Sequence, residues 1–569
     1  GEDIEDGDFL VDGSGNLVQF PVEVKRQTKG GIDSGRNKNR RLEDQRMQNY
    51  SLSGDHLAGN VQLDWMASYA RASEERPNER YLEYESEYGI SFNNDERKPL
   101  FSPLDEDEAD YRIFEFGELT EENQDTYEED FNLFLNAQLP LSYVNKQDGF
   151  FKFGARGRFK NKVRDNNFFE YSPLNDNYEL LGGIPNKDYS DPNFLAGSQY
   201  QIGSFADERF LGGLDLTDRS EFEEEDKPDE YVTGNFDVNE DVYAGYVLHN
   251  QNFSDRFSIL YGVRVEHTTI ESTGNELVFD EEGDVVGTRE VKDENSYTNF
   301  LPGVHLKYNV SDKTILRFAW TNTLARPNYV DLVPFREINN EDEEIYLGNS
   351  ELDPTTSMNF DMMAEYYFTS LGIVSGGVFY KSINDFIYTF QFEDDNGFEV
   401  YQPFNGDDAS VFGAEVSFQK QLTSLPGFLK NLSLYLNYTY ISSDANGIRN
   451  EDGEEREDLD LPNTAPHMFN GSLGYADGHL ALRLSLNYSG AYIDEVGGRA
   501  FEDRYYDEQL FLDFNGSYTF KKSWTIFLNL TNITNQPLRY YQGVSSRTMQ
   551  MEYYDMRLAI GLKYDLFKK

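Results

Sequence analysis

Along much of this chain, apolar and polar side chains alternate with a period of two. From Leu432 to Tyr440, one face carries Leu432, Leu434, Leu436, Tyr438 and Tyr440, and the other carries Ser433, Tyr435, Asn437 and Thr439. Leu480–Tyr488 sets Leu480, Leu482, Leu484 and Leu486 against Ala481, Arg483, Ser485 and Asn487. The same holds for Phe131–Leu139 and for Met556–Leu566. Such alternation predicts half-buried β-strands. It fits a soluble sheet with an apolar core or a membrane barrel with an apolar exterior, and alternation alone does not choose between them.

The connections choose. Between Tyr297 and Tyr388 the chain reads as strand, turn at Val310–Lys313, strand, long polar loop Arg326–Thr355, strand, turn at Thr369–Gly372, strand. Short turn, long loop, short turn is the rhythm of an outer-membrane barrel, with brief periplasmic turns and long outer loops. The predicted fold class is therefore all-β, a transmembrane antiparallel β-barrel. Strands are expected near 42–54, 61–72, 127–141, 150–163, 231–250, 257–270, 297–309, 314–323, 357–368, 373–390, 409–421, 431–442, 467–475, 480–493, 509–520, 525–532 and 553–566. Seventeen is an odd number, whereas single-chain bacterial barrels have an even one. Residues 1–41 are accordingly expected to be an outer loop or a remnant of upstream barrel strands, with 42–569 forming the barrel.

Composition narrows the class further. Of the 569 residues, 39 are Tyr and 43 Phe but only 3 Trp, which suits a barrel with aromatic girdles. Mean hydropathy is −0.68, and no apolar run reaches the length of a membrane-spanning helix. Lys+Arg 50 against Asp+Glu 103 leaves a net charge of −53, which argues against nucleic acid as a partner. The acids lie in blocks within the long loops: 105–108, 223–226, 341–344 and 451–460. They solvate those loops, and carboxylates also suit divalent ions, but no block has EF-hand spacing. There is no cysteine, so disulfides, thiolate metal sites and Cys nucleophiles are excluded. The six histidines are scattered without metal-ligand spacing. No cofactor and no enzymatic activity is expected.

Several phrases, in order, resemble the C-terminal barrel of the TonB-dependent receptor family, in the style of Bacteroidetes or Caulobacter receptors. They are Phe300-Leu301-Pro302-Gly303-Val304, Leu316-Arg317-Phe318-Ala319-Trp320, Thr323-Leu324-Ala325-Arg326-Pro327-Asn328, Gly348-Asn349-Ser350-Glu351-Leu352-Asp353-Pro354 and Asn529-Leu530-Thr531-Asn532-Ile533-Thr534-Asn535. The resemblance is strongest from Tyr231 onward and continues back to about Arg40. It implies a 22-stranded barrel in the Gram-negative outer membrane, closed by an N-terminal plug that this sequence does not contain. It implies energy-coupled uptake of a scarce nutrient, such as a siderophore, glycan or peptide, powered by TonB–ExbB–ExbD through the plug. Outer-membrane lipid and lipopolysaccharide are implied partners, with a surface lipoprotein as a further one. The family's terminal aromatic is matched by Phe567, followed here by Lys568 and Lys569. A passive pore, or a structural or surface-binding barrel in a larger envelope complex, remains as an alternative.

Candidate site residues come from two long loops. Loop 164–230 is rich in aromatics, and Phe168, Phe169, Tyr171, Tyr189, Phe194 and Tyr200 supply rigid faces able to stack on sugars or rings. Their competing role is to pack the loop against its neighbours. Arg326 stands where a strand leaves the wall, with Pro327 ending the ladder. Lys152, Arg156, Arg158, Arg264, Arg317 and Arg483 fall on the polar rows and are expected to pair with carboxylates of the wall or plug.

Overall fold

The computed structural model describes residues 10–11, 17–93, 100–195, 197–279, 285–339, 344–394, 397–457, 459–521 and 523–566. The acidic run at 341–343 and the terminal Phe567, Lys568 and Lys569 lie outside these residues.

Among the described residues, seventeen antiparallel strands, each bonded to the next, make the wall. They are β1 (Asp44–Ala58), β2 (Val61–Asn93), β3 (Glu115–Pro140), β4 (Gly149–Pro173), β5 (Phe236–Asn252), β6 (Phe257–Phe279), β7 (Val285–Ser311), β8 (Thr314–Ala325) and β9 (Thr355–Tyr367). Then come β10 (Gly372–Asn384), β11 (Asp408–Gln421), β12 (Leu432–Ala445), β13 (His467–Ala476), β14 (Leu480–Ser489), β15 (Gln509–Phe520), β16 (Trp524–Thr531) and β17 (Arg557–Tyr564). Each expected strand is present. Every second connection is short, so the alternation of turns and loops read from the sequence is the topology of the sheet.

Register explains the two faces. Leu434, Leu473, Leu484 and Phe514 fall on one outer row, whereas Ser485 pairs with Ser472 and Asp513 on the inner side. The outer rows stay exposed: Leu473, Leu484, Val416 and Phe300 meet solvent in the isolated chain, as a lipid-facing surface must.

The longest strands all outgrow the membrane. A barrel strand needs about 9–11 residues to cross, but β2 has 33, β3 26, β4 25 and β7 27. The excess stands beyond the bilayer on the long-loop side. There β2 changes partner. Its first half pairs with β1, from Val61 with Ala58 to Glu75 with Asp44. Its second half pairs with a leading strand, Leu17–Gly31, from Glu79 with Gly31 to Ser91 with Gln19. The change falls at a register shift between Arg76 and Glu79, where Asn78 takes a left-handed φ of 51°.

The connection from β4 to β5 packs on this extension and closes a core of its own. Leu82, Tyr84, Phe114, Leu119, Leu181, Leu211 and Phe222 are all buried there. Leu211 sits on a short helix, Glu208–Gly213, and is fully buried. Leu211→Ala is expected to destabilise this outer compartment by about 2–5 kcal/mol. Hydrogen exchange should quicken across 174–222 while the wall strands β9–β17 stay protected; uniform loss of protection would contradict an autonomous outer core.

The two edges of the wall are distinct. Among the described residues, β1 bonds only β2 and β17 bonds only β16. Their side chains are bare: Met47 is 85% exposed, Leu57 77% and Ile560 70%. Seventeen antiparallel strands leave β1 and β17 running the same way, so they cannot join each other antiparallel.

Candidate functional site

Two assemblies on the long-loop side carry the chemistry. The first is an inward-folded strap after β8. Pro327 has no N–H to continue the ladder, and the chain turns from Ala325 into a short helix, Tyr329–Leu332. Leu332, Val333 and Leu352 bury against Phe236 and Val238 of β5 and Ile270 of β6. The strap therefore crosses back over the inner face of strands that precede it.

Charge fixes it there. Glu240 is 2% exposed. Its carboxylate accepts the Tyr329 hydroxyl at 3.3 Å, lies 3.4 Å from Arg326 Nε and 3.9 Å from Arg158 Nη1. Arg326 Nη2 also donates to Glu266 Oε2 at 2.8 Å and Thr268 Oγ1 at 3.1 Å. Arg158 Nε donates to Asp130 Oδ2 at 2.9 Å, and Lys160 pairs with Glu128 at 2.6 Å. The ammonium groups of Lys160 and Lys162 lie 5.0 and 5.9 Å from the centre of the Tyr329 ring, within cation–π range. A cavity of about 630 Å³ opens beside this network, lined by Glu128, Arg158, Lys162, Glu240, Arg326 and Tyr329.

Arg326 is thus a latch within the protein. The other cations of the polar rows also pair largely within the wall. Lys152 lies 3.4 Å from Asp64, Arg317 donates to Glu365 at 3.0 Å, Arg264 meets Glu266, and Arg156 bonds the Asn132 amide oxygen at 2.6 Å. Gly348-Asn349 and Asp353, after the strap, tie loops to one another. A Cβ on Gly348 would fall 1.7 Å from the Val333 carbonyl oxygen. Asn349 donates to the Pro403 carbonyl at 3.0 Å, and Asp353 N–H to Asn405 at 2.9 Å.

The second assembly is the outer compartment, and it divides the aromatic candidates. Phe169 and Tyr171 join its core; Tyr171 is 4% exposed and its hydroxyl donates to Glu224 at 3.0 Å. Phe168 directly precedes them on β4, its carbonyl accepting the Lys227 N–H at 3.2 Å. Phe194 and Tyr200 pair edge to face at 6.5 Å. Tyr189 lines a cavity of about 690 Å³, with Phe205, Lys29, Arg40, Arg41 and Glu79. Its hydroxyl bonds Glu208 and its ring carries the Lys187 ammonium at 4.4 Å. The structure therefore does not gather the six rings into one patch, and packing accounts for Phe169 and Tyr171.

Sequence reasoning passed over Glu240, Glu266, Tyr329, Lys160 and Lys162. A signal existed: the even positions of β4 from Lys152 to Arg164 are almost all basic, and period two places them on one face.

Carboxylates crowd the outer compartment. Burial, with Glu170, Glu83 and Glu230 nearby, pushes the Glu118 carboxyl up to about 7, against a smaller opposing effect of Lys25. A folded value above the unfolded one of about 4.5 makes the charged form a cost to folding. That cost is absent below pH 4.5, grows as pH rises, and is complete above pH 7. Glu118→Gln should therefore stabilise the compartment at pH 8, by on the order of 1 kcal/mol, and be neutral near pH 4. Thermal melts at both pH values check this; equal effects at both would contradict it.

A lipid-facing exterior, a polar interior with paired charges, short turns at one end and long structured loops at the other define an outer-membrane β-barrel. The chain belongs to the outer membrane protein beta-barrel family, whose model matches residues 211–564. It resides in the outer membrane of a Gram-negative bacterium. No curated protein matches the sequence. Among solved structures it is similar to Fiu, a ferric-catecholate import receptor of E. coli K12, with TM-score 0.53 and 10% identity over 89% of this chain and 65% of that one. The chain thus spans just under two thirds of that receptor's length. It is also similar to the ferric yersiniabactin uptake receptor FyuA of Yersinia pestis (TM-score 0.49, 11% identity, 97% of this chain and 76% of that one). A third is the ferric enterobactin receptor PfeA of Pseudomonas aeruginosa (TM-score 0.48, 12% identity, 96% and 77%). Among the described residues, no group of three His, Asp or Glu side chains is placed to hold a metal ion.

Proposed function

We propose that this chain is the barrel of a receptor that binds a scarce solute outside the cell and admits it to the periplasm with energy from TonB, ExbB and ExbD. The observation that carries the reading is the wall itself: among the described residues it is wide, its strand count is odd, and each of its two edge strands bonds a neighbour on one side only. An odd number of further antiparallel strands closes it, and five would make 22. A plug in the lumen then meets the inward-folded strap. Fiu, which shares the fold, is an import receptor for ferric catecholates; that likeness supports import as the proposed role and leaves the substrate open, since fold alone does not fix function. Tyr189 and the cavity beside it, and Arg326 with the cavity beside the strap, are the proposed first contacts for solute. Phe168, Phe194 and Tyr200 belong to the same outer compartment and come second.

The test needs no substrate. The native protein, purified from its outer membrane, is mixed with the periplasmic domain of TonB from the same organism. Stoichiometric binding supports the reading. A preparation that binds no TonB and conducts ions freely in a planar bilayer would sink it and leave a pore. A second reading, a structural or surface-binding barrel of a larger envelope complex, is favoured by the size of the outer compartment; recovery of a fixed set of partners, without TonB binding, would select it.

A further inference from the structure

The connections from β14 to β15 and from β16 to β17 interlock above the wall in a small antiparallel sheet. Its strands are Tyr492–Glu495, Arg504–Tyr506, Leu538–Gln542 and Thr548–Glu552. Period two gives this sheet two faces. On one, Ile493, Tyr505 and Tyr541 are cross-strand neighbours. Ile493 and Tyr505 pack on Ala409, Ala445, Ile448 and Leu459. Ala409 and Ala445 lie on the inner rows of β11 and β12, in step with Glu415 and Thr439. This face therefore looks into the mouth.

The opposite face looks away from the mouth. There Tyr492, Tyr506 and Tyr540 are direct neighbours across three strands. Their ring centres are 5.7 and 4.7 Å apart. The row continues the lipid-facing surface upward: Tyr488 and Leu510 are an outer pair of β14 and β15, just below it. Apolar leucines thus give way to half-exposed tyrosines where hydrocarbon gives way to headgroups, which is where amphipathic rings belong.

We infer that this tyrosine row is a docking platform for the core sugars of outer-leaflet lipopolysaccharide. Two observations select the sugars over the phosphates. The nearest cation, Arg504, lies 5.4 Å from the centre of the Tyr540 ring and is neutralised there by Asp494 and by Glu495 at 2.8 Å. Glu508 and Glu552 add negative charge close by, Glu508 accepting the Tyr488 hydroxyl at 3.2 Å. On a chain of net charge −53, this face repels phosphate, whereas ring faces stack on the C–H faces of sugars without regard to charge. Continuity with the lipid-facing surface places the sugars on membrane-anchored molecules and not on free glycan.

The test uses the native full-length protein in detergent and the triple variant Tyr492→Ser/Tyr506→Ser/Tyr540→Ser. The probes are rough lipopolysaccharide with its core sugars, lipid A stripped of them, and the soluble core oligosaccharide. The parent protein should bind the rough form more tightly than lipid A, by about tenfold for stacked rings, and should keep that preference in EDTA. The triple variant should lose the preference while retaining its lipid A binding; Tyr492→Ser alone should lose part of it, should the triple variant not fold. Equal binding of lipid A by the parent, an unchanged preference in the variants, or its loss in EDTA would each overturn the inference. The last would show phosphates bridged by divalent ions. Soluble oligosaccharide binding as tightly as the anchored form would point to a free glycan and overturn it too.

Discussion

Asp503→Ala is expected to cost about 3–5 kcal/mol and to open the mouth without unravelling the wall. Asp503 is 2% exposed. Its two oxygens accept Nη1 and Nη2 of Arg456, each at 2.7 Å, and one also accepts the Gly497 N–H at 3.1 Å. Arg456 belongs to the β12–β13 connection and Asp503 to the β14–β15 connection, so the pair ties two loops together beside the buried Ile448, Ile493 and Val496. Removing the carboxylate leaves a guanidinium that is itself only 12% exposed and has lost its bidentate partner, with Glu502 a weaker neighbour. Hydrogen exchange should accelerate in 446–466 and 490–508 while β12–β15 stay protected. The double variant Asp503→Ala/Arg456→Met should be more stable than the single one, because the stranded charge has gone. A single variant with unchanged exchange would show that the pair is solvated and weak.

The second large effect is at Glu240. Glu240→Ala is expected to cost about 3 kcal/mol or more, because Arg158, Arg326 and Tyr329 all turn to this one carboxylate. Arg326→Ala should cost less. Arg326 is 21% exposed, and its loss leaves Glu240 with Arg158 and the Tyr329 hydroxyl. The order of the two variants is the discriminating readout, taken from protection of residues 326–333. If Arg326→Ala frees the strap as fully as Glu240→Ala, the latch is a simple pair and not a hub.

Much of the fold was legible because a lipid-facing wall forces a plain code. Every outer position of Leu432–Tyr440 or Leu480–Tyr488 must be apolar, every inner one can be polar, and turns such as Ala476–Gly478 come cheaply on the periplasmic side. The code fails where the lipid ends. The upper half of β2 reads Glu79, Tyr81, Glu83, Glu85 and Glu87 along one row, with Leu82 and Tyr84 buried on the other. Neither row meets lipid, so charge returns and the segment reads as a loop. That is why 71–126 looked like a connection although strand runs to Asn93, returns briefly at Leu100–Pro103 and resumes at Glu115. The exit at Arg326-Pro327 was visible, since Pro ends a ladder. Its partner was not: Glu240 lies 86 positions upstream, and period two says which face it takes but not which side chain from a later loop will reach it. The aromatic loop shows the same limit. Composition shows that Tyr171 and Tyr189 offer ring surface, but only the fold sends one into a core and the other to a cavity.

The central claim is that this wall is completed by further strands around a gated lumen. The most direct test is the intact mass of the native polypeptide extracted from its outer membrane, with peptide mapping of its strands. A mass well above the 65.7 kDa of this chain, with additional sequence forming an odd number of strands between β1 and β17, is the predicted result. A native polypeptide of 65.7 kDa would contradict it, because the barrel would then have to close by another route and without a plug.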